Sequence, residues 1–384
     1  MYRLNRNGFK GYLVGGAIRD ILLGKQPKDF DLATDATPKE IKNLFRNSRI
    51  IGKRFKLVHI YFKNNKIIEV ATFRDYEDES NSNEDDIPDL LPTDNNYGDE
   101  ESDALRRDLT INALFYSIEN FSIIDYVGGV EDLNNRVAKI LGNPLTSLIE
   151  DPVRMLRVVR HAARAGFEID SKTIEAINEH RELIMECPDM RIYEELKKDL
   201  LSGYSLPTLR LFQTHGLLKF ILPEIDELKE SLFEDKSHLA MALEKADTHY
   251  RIHNGTLITP ILSLLSIVTH PEYEKDKSFK DCIKNKDELY NYLCTRFQSY
   301  AVPKRERERI FIILSALLLI EKNILEKINP DKLPNDTQIK ELVTLIKFLE
   351  YLPRRAELTA FLNGVRKAKR QERFRNKRKK RTRI

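Results

Sequence analysis

The pattern of hydrophobic positions changes character along the chain. In the first 145 residues the apolar runs are short: Tyr12, Leu13 and Val14 form a strand-like run that Gly15 and Gly16 close. A helical stretch carrying Arg19 follows, and then residues 28–32, Lys-Asp-Phe-Asp-Leu, set Asp29 and Asp31 in alternation with hydrophobes. Alternation predicts a strand with both carboxylates on one face. Residues 67–73, Ile-Ile-Glu-Val-Ala-Thr-Phe, predict a second strand, interrupted by Glu69. Residues 106–114 follow a helical period through Leu109, Ile111, Ala113 and Leu114. Beyond Glu150 long helical patterns dominate, as over residues 309–327 and 336–351, with few strand signals. The reading is an α/β head over residues 1–145 followed by an all-helical remainder. At 384 residues the chain exceeds the usual size of a single core, so two or more domains are expected.

The polar residues that interrupt these patterns carry the chemistry. Two carboxylates side by side repel one another unless a divalent cation lies between them, and a Gly-Gly turn opening a helix offers backbone N–H groups to a phosphate. Either feature alone is common in ordinary turns and solvated loops; together, in this order, they predict a metal-bound nucleoside triphosphate. Glu69 is costly within a sheet unless it is paired, coordinates metal or faces water from an edge, and Asp108 is the other candidate for a third carboxylate. Arg107 and Asn112 could hold a triphosphate oxygen and a ribose hydroxyl, though the same residues suit an ordinary charged helix start. In residues 150–160, Glu-Asp-Pro-Val-Arg-Met-Leu-Arg-Val-Val-Arg, Pro152 suits a first helical turn and Asp151 the cap before it. Asp151 and Arg154 are three apart, an acceptor beside a donor fork, which matches the Watson–Crick edge of adenine or cytosine and mismatches guanine and uracil. Arg157, one turn further, is placed to support that pair or to neutralise phosphate.

The Gly-Gly turn, the Asp-x-Asp pair and a later carboxylate resemble the nucleotidyltransferase superfamily of DNA polymerase beta. With residues 106–114 and 150–160 added, residues 10–220 resemble the class II tRNA nucleotidyltransferases and poly(A) polymerases. Residues 50–62, residues 125–133 and the basic C-terminal segment are similar to the poly(A) polymerase branch. The resemblance implies that Asp29 and Asp31 bind catalytic magnesium, that Asp108 is among the active-site residues and that Asp151 with Arg154 selects the base. On the residues themselves, Glu69 is a further candidate metal ligand, Gly15, Gly16 and Arg19 would cradle phosphates, and Arg107 and Asn112 would fix the phosphate and sugar. The fold that the resemblance implies is a catalytic head (1–145) followed by a helical neck (146–205), a body (206–364) and a tail (365–384).

Charge refines this picture. The net charge of +4 conceals twelve acidic and no basic residues in 77–103, and twelve Lys or Arg with one acid in 365–384. The acidic stretch has almost nothing to bury and predicts a mobile insertion; the basic one suits phosphate-backbone contact, or plain solvation. Cys187, Cys282 and Cys294 are odd in number and lack metal or disulfide spacing, which favours a reducing cytoplasm. No signal peptide or membrane-spanning apolar run is evident. His249 and His253, four apart, read as an ordinary histidine pair, and the His and Asp pairs of a phosphohydrolase appendage are absent.

The expected activity is template-independent transfer of AMP from ATP to RNA 3′ ends by two-metal phosphoryl transfer, with Mg²⁺ as cofactor. RNA and ATP are the expected partners, with an RNA chaperone or degradation machinery as a further one. Lys53, Arg54, Lys56 and His59 are candidates for primer contact. Two other readings stay open: CCA addition to tRNA, since the base-reading pair suits cytosine too, and a non-catalytic RNA-binding module on a decayed head.

Overall fold

The computed structural model describes residues 1–52, 56–63, 66–75, 97–228, 237–253, 257–273, 278–297, 302–322 and 335–349, with Glu234, Thr359 and Asn363. Lys53, Arg54, most of the acidic stretch and the basic segment 365–384 lie outside the described residues. The chain forms two compact units, Met1–His180 and Arg181–Ile384.

The first unit runs α1 (Tyr2–Asn5), β1 (Gly11–Val14), α2 (Gly16–Leu22), β2 (Asp31–Thr34), α3 (Pro38–Leu44), β3 (Ser48–Ile51), β4 (Leu57–Tyr61) and β5 (Ile67–Thr72). It continues with α4 (Glu100–Leu105), β6 (Leu114–Ser117), β7 (Ser122–Asp125), α5 (Gly129–Asn134), β8 (Val137–Ala138), α6 (Pro144–Glu150), α7 (Arg154–Ala165), β9 (Glu168–Ile169) and α8 (Ser171–His180). Seven strands form one sheet in the order β3-β4-β5-β2-β1-β6-β7. Every neighbouring pair is antiparallel except β2 and β5, which run parallel with Asp31 beside Glu69.

Strand alternation sends side chains to two cores. Leu32, Val58, Ile60 and Val70 pack on one face with Ile41 and Phe45 from the α3 region, whose start is fixed by a Thr37–Glu40 capping box and Pro38. Tyr12, Val14, Ala33 and Phe115 pack on the other face with Phe73 and Ala104. Gly129 allows α5 to press on the loop before β6: a Cβ there would lie 2.2 Å from the Thr110 carbonyl oxygen.

The second unit is helical: α9 (Asp189–Leu201), α10 (Ser205–Thr214), α11 (Leu218–Ile221), α12 (Pro223–Asp226), α13 (His238–His253), α14 (Thr259–Val268), α15 (Phe279–Cys282), α16 (Lys286–Arg296), α17 (Lys304–Glu321) and α18 (Asp336–Phe348). Every residue of α14 is buried, as expected of an apolar helix at the centre of a bundle. The α/β head followed by helices is therefore as the hydrophobic pattern predicts.

Three local expectations are corrected. Residues 106–114 do not form a helix: they make a turn, a bridge from Leu109 to Ile140, a 3₁₀ turn at Thr110–Asn112 and the start of β6. A short apolar run fits either period, and pairing with β1 and β7 decides it. Asp29 precedes the strand, which begins at Asp31. The acidic stretch ends in structure: Asp99 caps α4, and Asp103 is 1% exposed, so residues 97–103 belong to the packed head rather than to an insertion.

Among the described residues no helix is long and apolar enough to cross a membrane, and all three cysteines are free thiols.

Candidate functional site

Asp31 opens β2 and lies at the solvent-exposed border of the sheet. Its carboxyl is raised from 3.8 to about 6, first by partial burial and then by the negative charges of Glu69 and Asp29, with Arg107 pulling the other way. The Asp-x-Asp pair and Glu69 thus act on one another electrostatically, although Asp29 comes from a connector. Glu69 is also engaged by His59 across β4 and β5, with Nε2 3.2 Å from Oε1. Among the described residues no group of three or more His, Cys, Asp or Glu side chains is assembled as a metal cage. The donor chemistry still suits a hard cation: a carboxylate destabilised by neighbouring carboxylates is one whose ionised form a divalent ion relieves.

The Gly turn stands next to this group. Gly15 has φ +72°, a left-handed conformation that glycine adopts without strain. A Cβ on Gly15 would lie 3.3 Å from Arg107 Nη1. Arg107 is held in place from below, its Nη2 2.9 Å from Asp103 Oδ2 and its guanidinium 5.1 Å from the centre of the Phe115 ring. Burial alone would raise the Asp103 carboxyl; Arg107 and Arg106 more than offset that and hold it low. Arg107 therefore stands close to the Gly15 turn and its charge is felt at Asp31, where an anionic triphosphate needs a cation.

Arg19 and Asn112 are not placed as the sequence suggests. Arg19 is 3% exposed, and four of its five N–H donors are engaged within the protein. Nε and Nη2 donate to Asp20 Oδ1 at 3.0 and 2.7 Å, and Nη1 donates to Asn112 Oδ1 at 2.6 Å. Nη1 is also 3.0 Å from His161 Nδ1. A guanidinium only donates, so Nδ1 accepts and the imidazole proton resides on Nε2. Burial, and then Arg19, keep the His161 pKa well below its usual value, consistent with a neutral ring. Asp20 Oδ2 accepts from Arg164 Nη2 at 2.5 Å. The other end of Asn112 donates to Asp108 Oδ1 at 3.4 Å. Both residues thus brace α2 against α7.

Asp108 joins the same network. Arg157 Nη2 lies 2.9 Å from its Oδ2, and although burial would raise the carboxyl, the Arg157 charge and then the hydrogen bond from Asn112 bring it to about 2. Asp108 is thus held by Arg157 of α7, by Asn112 and by the Leu109 amide, whereas the charges acting on Asp31 come from Glu69, Asp29 and Arg107.

The remaining pair stands at the start of α7. Asp151 closes α6, and α7 begins at Arg154 with no side-chain cap, so Asp151 is not a helix cap here. Arg154 Nε is 3.9 Å from Asp151 Oδ2, and Nη1 bonds the Ser147 hydroxyl. Asp20, Asp103, His161 and Arg164 escaped the sequence reading. Adjacent residues on a helix do not face each other, so the Arg19–Asp20 contact has no periodic signature, and Asp103 is hidden in an acidic run.

Comparisons with known proteins give the family. The poly(A) polymerase head domain family matches residues 11–139, and the family described as the "probable RNA and SrmB- binding site of polymerase A" matches residues 166–229. Poly(A) polymerase I of Escherichia coli O6:H1 is 40% identical over 278 residues, which is 71% of this chain and 60% of that protein. Poly(A) polymerase I of Haemophilus influenzae is 38% identical over 297 residues, 76% of this chain and 64% of that one. The CCA-adding enzyme of Bacillus pumilus is 34% identical over 250 residues, 64% of this chain and 60% of that one. The chain thus spans about 60% of the length of the curated polymerases it matches. In fold it is similar to the Bacillus stearothermophilus CCA-adding enzyme in complex with CTP, with TM-score 0.59 and 22% identity, covering 96% of this chain and 79% of that one. With its head and its following helical segment both matched, and with poly(A) polymerases among its similar relatives, the chain belongs to the poly(A) polymerase and tRNA nucleotidyltransferase family.

Proposed function

We propose that the chain is a template-independent adenylyltransferase that adds AMP from ATP to RNA 3′ hydroxyls. The observation that carries this reading is Asp31, raised by partial burial and then by Glu69 and Asp29 beside a Gly turn and Arg107, in a chain 40% identical over 278 residues to a poly(A) polymerase I. Asp29 and Asp31 would hold Mg²⁺, which when bound supplies activation of the acceptor hydroxyl and charge neutralisation of the triphosphate. The Gly15–Gly16 turn admits the phosphates closely, and Arg107 meets their charge. Asp151 accepts from the exocyclic amine of adenine while Arg154 donates to its ring nitrogen; guanine presents the reverse order. Arg19, Asn112, Asp108 and Arg157 hold the turn and α7 in register, so that phosphate and base are gripped by one rigid frame. Glu69 is the third carboxylate in this assignment, because Asp108 is committed to Arg157. The helical segment 166–229 supports RNA contact and a protein partner, and a cytoplasmic site of action follows from RNA 3′ ends as substrate.

The base-reading pair suits cytosine as well, so CCA addition is the second reading. Purified chain with magnesium, a generic RNA primer or a tRNA lacking CCA, and ATP, CTP or GTP separates the two. Adenylation of either RNA is expected, with CTP a poor substrate; addition confined to the tRNA and dependent on CTP would replace this reading with the second. Arg154→Lys, which loses the planar fork, is expected to narrow the preference for ATP over GTP by about tenfold. Unchanged selectivity in that variant would remove Arg154 from base reading.

A further inference from the structure

The sheet face that carries Asp31 is covered on one side of that residue and open on the other. Towards β1 and β6 the row continues from Asp31 to Val14 and Phe115, both buried beneath Phe73 and Ala104. Towards the edge it continues from Asp31 to Glu69, then His59, then Arg49 on β3. One step along the strands, Tyr61 stands opposite Ile67 on the same face, and these are 41% and 45% exposed. The opposite face of these strands is core, with Val58, Ile60 and Val70 buried. An exposed aromatic, an exposed isoleucine and an exposed arginine therefore share a face that is uncovered among the described residues and leads directly to the carboxylates.

Charge says what this face accepts. Residues 46–68, which contain β3, β4 and their connections, carry seven Lys or Arg and no Asp or Glu. The first acid reached is Glu69, at the site itself. A cationic edge with apolar and aromatic side chains between it and the reaction centre is the composition of a single-strand nucleic-acid track, where bases stack on rings and phosphates meet cations. The His59 and Tyr61 rings pack edge to face with centroids 6.4 Å apart.

We propose that the open half of the sheet, Arg49, His59, Tyr61 and Ile67, seats the last nucleotides of the acceptor RNA. The penultimate bases lie against Tyr61 and Ile67, the backbone runs toward Arg49, and the terminal hydroxyl is left beside Asp31. This subsite rests on the adenylyl-transfer reading above. It explains why the face is uncovered next to a site that needs access for a polymeric acceptor, while the nucleotide side is built from buried braces.

The test is equilibrium binding of a 5′-labelled oligoadenylate to the full chain without nucleotide, paired with KM values for primer and ATP. Arg49→Glu and Tyr61→Ala are expected to weaken oligoadenylate binding and raise the primer KM by about fivefold to fiftyfold, with the KM for ATP unmoved. Tyr61→Phe, which keeps the ring, is expected to bind within about twofold of the parent. Both side chains are solvent-exposed, and a thermal melt checks that each variant folds; should Tyr61→Ala melt early, Arg49→Glu and Tyr61→Phe carry the comparison. Wild-type primer affinity in Arg49→Glu and in the Tyr61 variants, with adenylation intact, would overturn this subsite and leave the proposed function standing. RNA binding lost in the variants of a chain that adds no nucleotide would leave the subsite standing and overturn the function.

Discussion

At the level of single residues, the site is organised by how each charge is balanced. Asp31 is partly buried and stands among other carboxylates, and its pKa rises to about 6. Asp108, with Arg157 against it, falls to about 2. A carboxyl whose folded pKa is raised favours the protonated form on folding, so its ionisation costs stability above about pH 6 and nothing below the unfolded value of 3.8. Asp31→Asn is therefore expected to melt higher than the parent at about pH 7.5 without divalent ions, the gap closing as pH falls below about 4. The same variant should lose nucleotide addition by several orders of magnitude and lose any magnesium-dependent rise in melting temperature. Melting curves against pH and magnesium check this; a variant that melts at or below the parent at neutral pH would show that Asp31 is not destabilised by its neighbours.

Among the elements, α10 shows how a helix in the second unit is started by a residue far away in sequence. Its own N-cap, Tyr204, does not cap it with its side chain. Instead Asp247 from α13 accepts from the Ser205 amide and hydroxyl, each at 2.7 Å, and from the Leu206 amide at 2.9 Å. The carboxylate is 2% exposed, and burial raises its pKa despite those three donors. Asp247→Ala removes the acceptor and leaves buried N–H groups unmet, at an expected cost of about 2–4 kcal/mol. Chemical denaturation reads this directly, and a loss below about 0.5 kcal/mol would mean that the helix start is satisfied in another way.

For the whole molecule, the opposed charge blocks matter more than the net charge. Residues 365–384, outside the described residues, hold twelve Lys or Arg and one acid. Their removal touches none of the proposed catalytic positions, so single addition at saturating primer should persist while RNA affinity and its salt dependence fall. For single strands each phosphate contact contributes about 0.7 to the slope of log affinity on log salt, so engagement of half these cations predicts a slope shallower by about 4. Identical slopes for full and truncated chains would assign the segment to solvation or to a protein partner.

Much of this was legible before any coordinates. Periodicity alone separates a strand-bearing head from a helical remainder, because amphipathic burial imposes its period on the sequence wherever an element packs on a core. The spacing of Gly15, Gly16, Asp29 and Asp31 points to phosphate and metal chemistry because those groups lie within a few residues of one another. What lay beyond the sequence were contacts made across chain distance or against local preference. Sheet pairing with β1 and β7 turned residues 106–114 from an expected helix into a turn and strand. The direction of Arg19, inward to Asp20, Asn112 and His161, depends on α7 packing behind α2, and no pattern in either helix announces it. Asp103 reads as one acid in a solvated run until Arg106 and Arg107 close over it. Sequence set the residue types and their periods; only the tertiary fold decided which charges are neutralised inside, which remain at the surface to meet a ligand, and that half of one sheet face stays open beside Asp31.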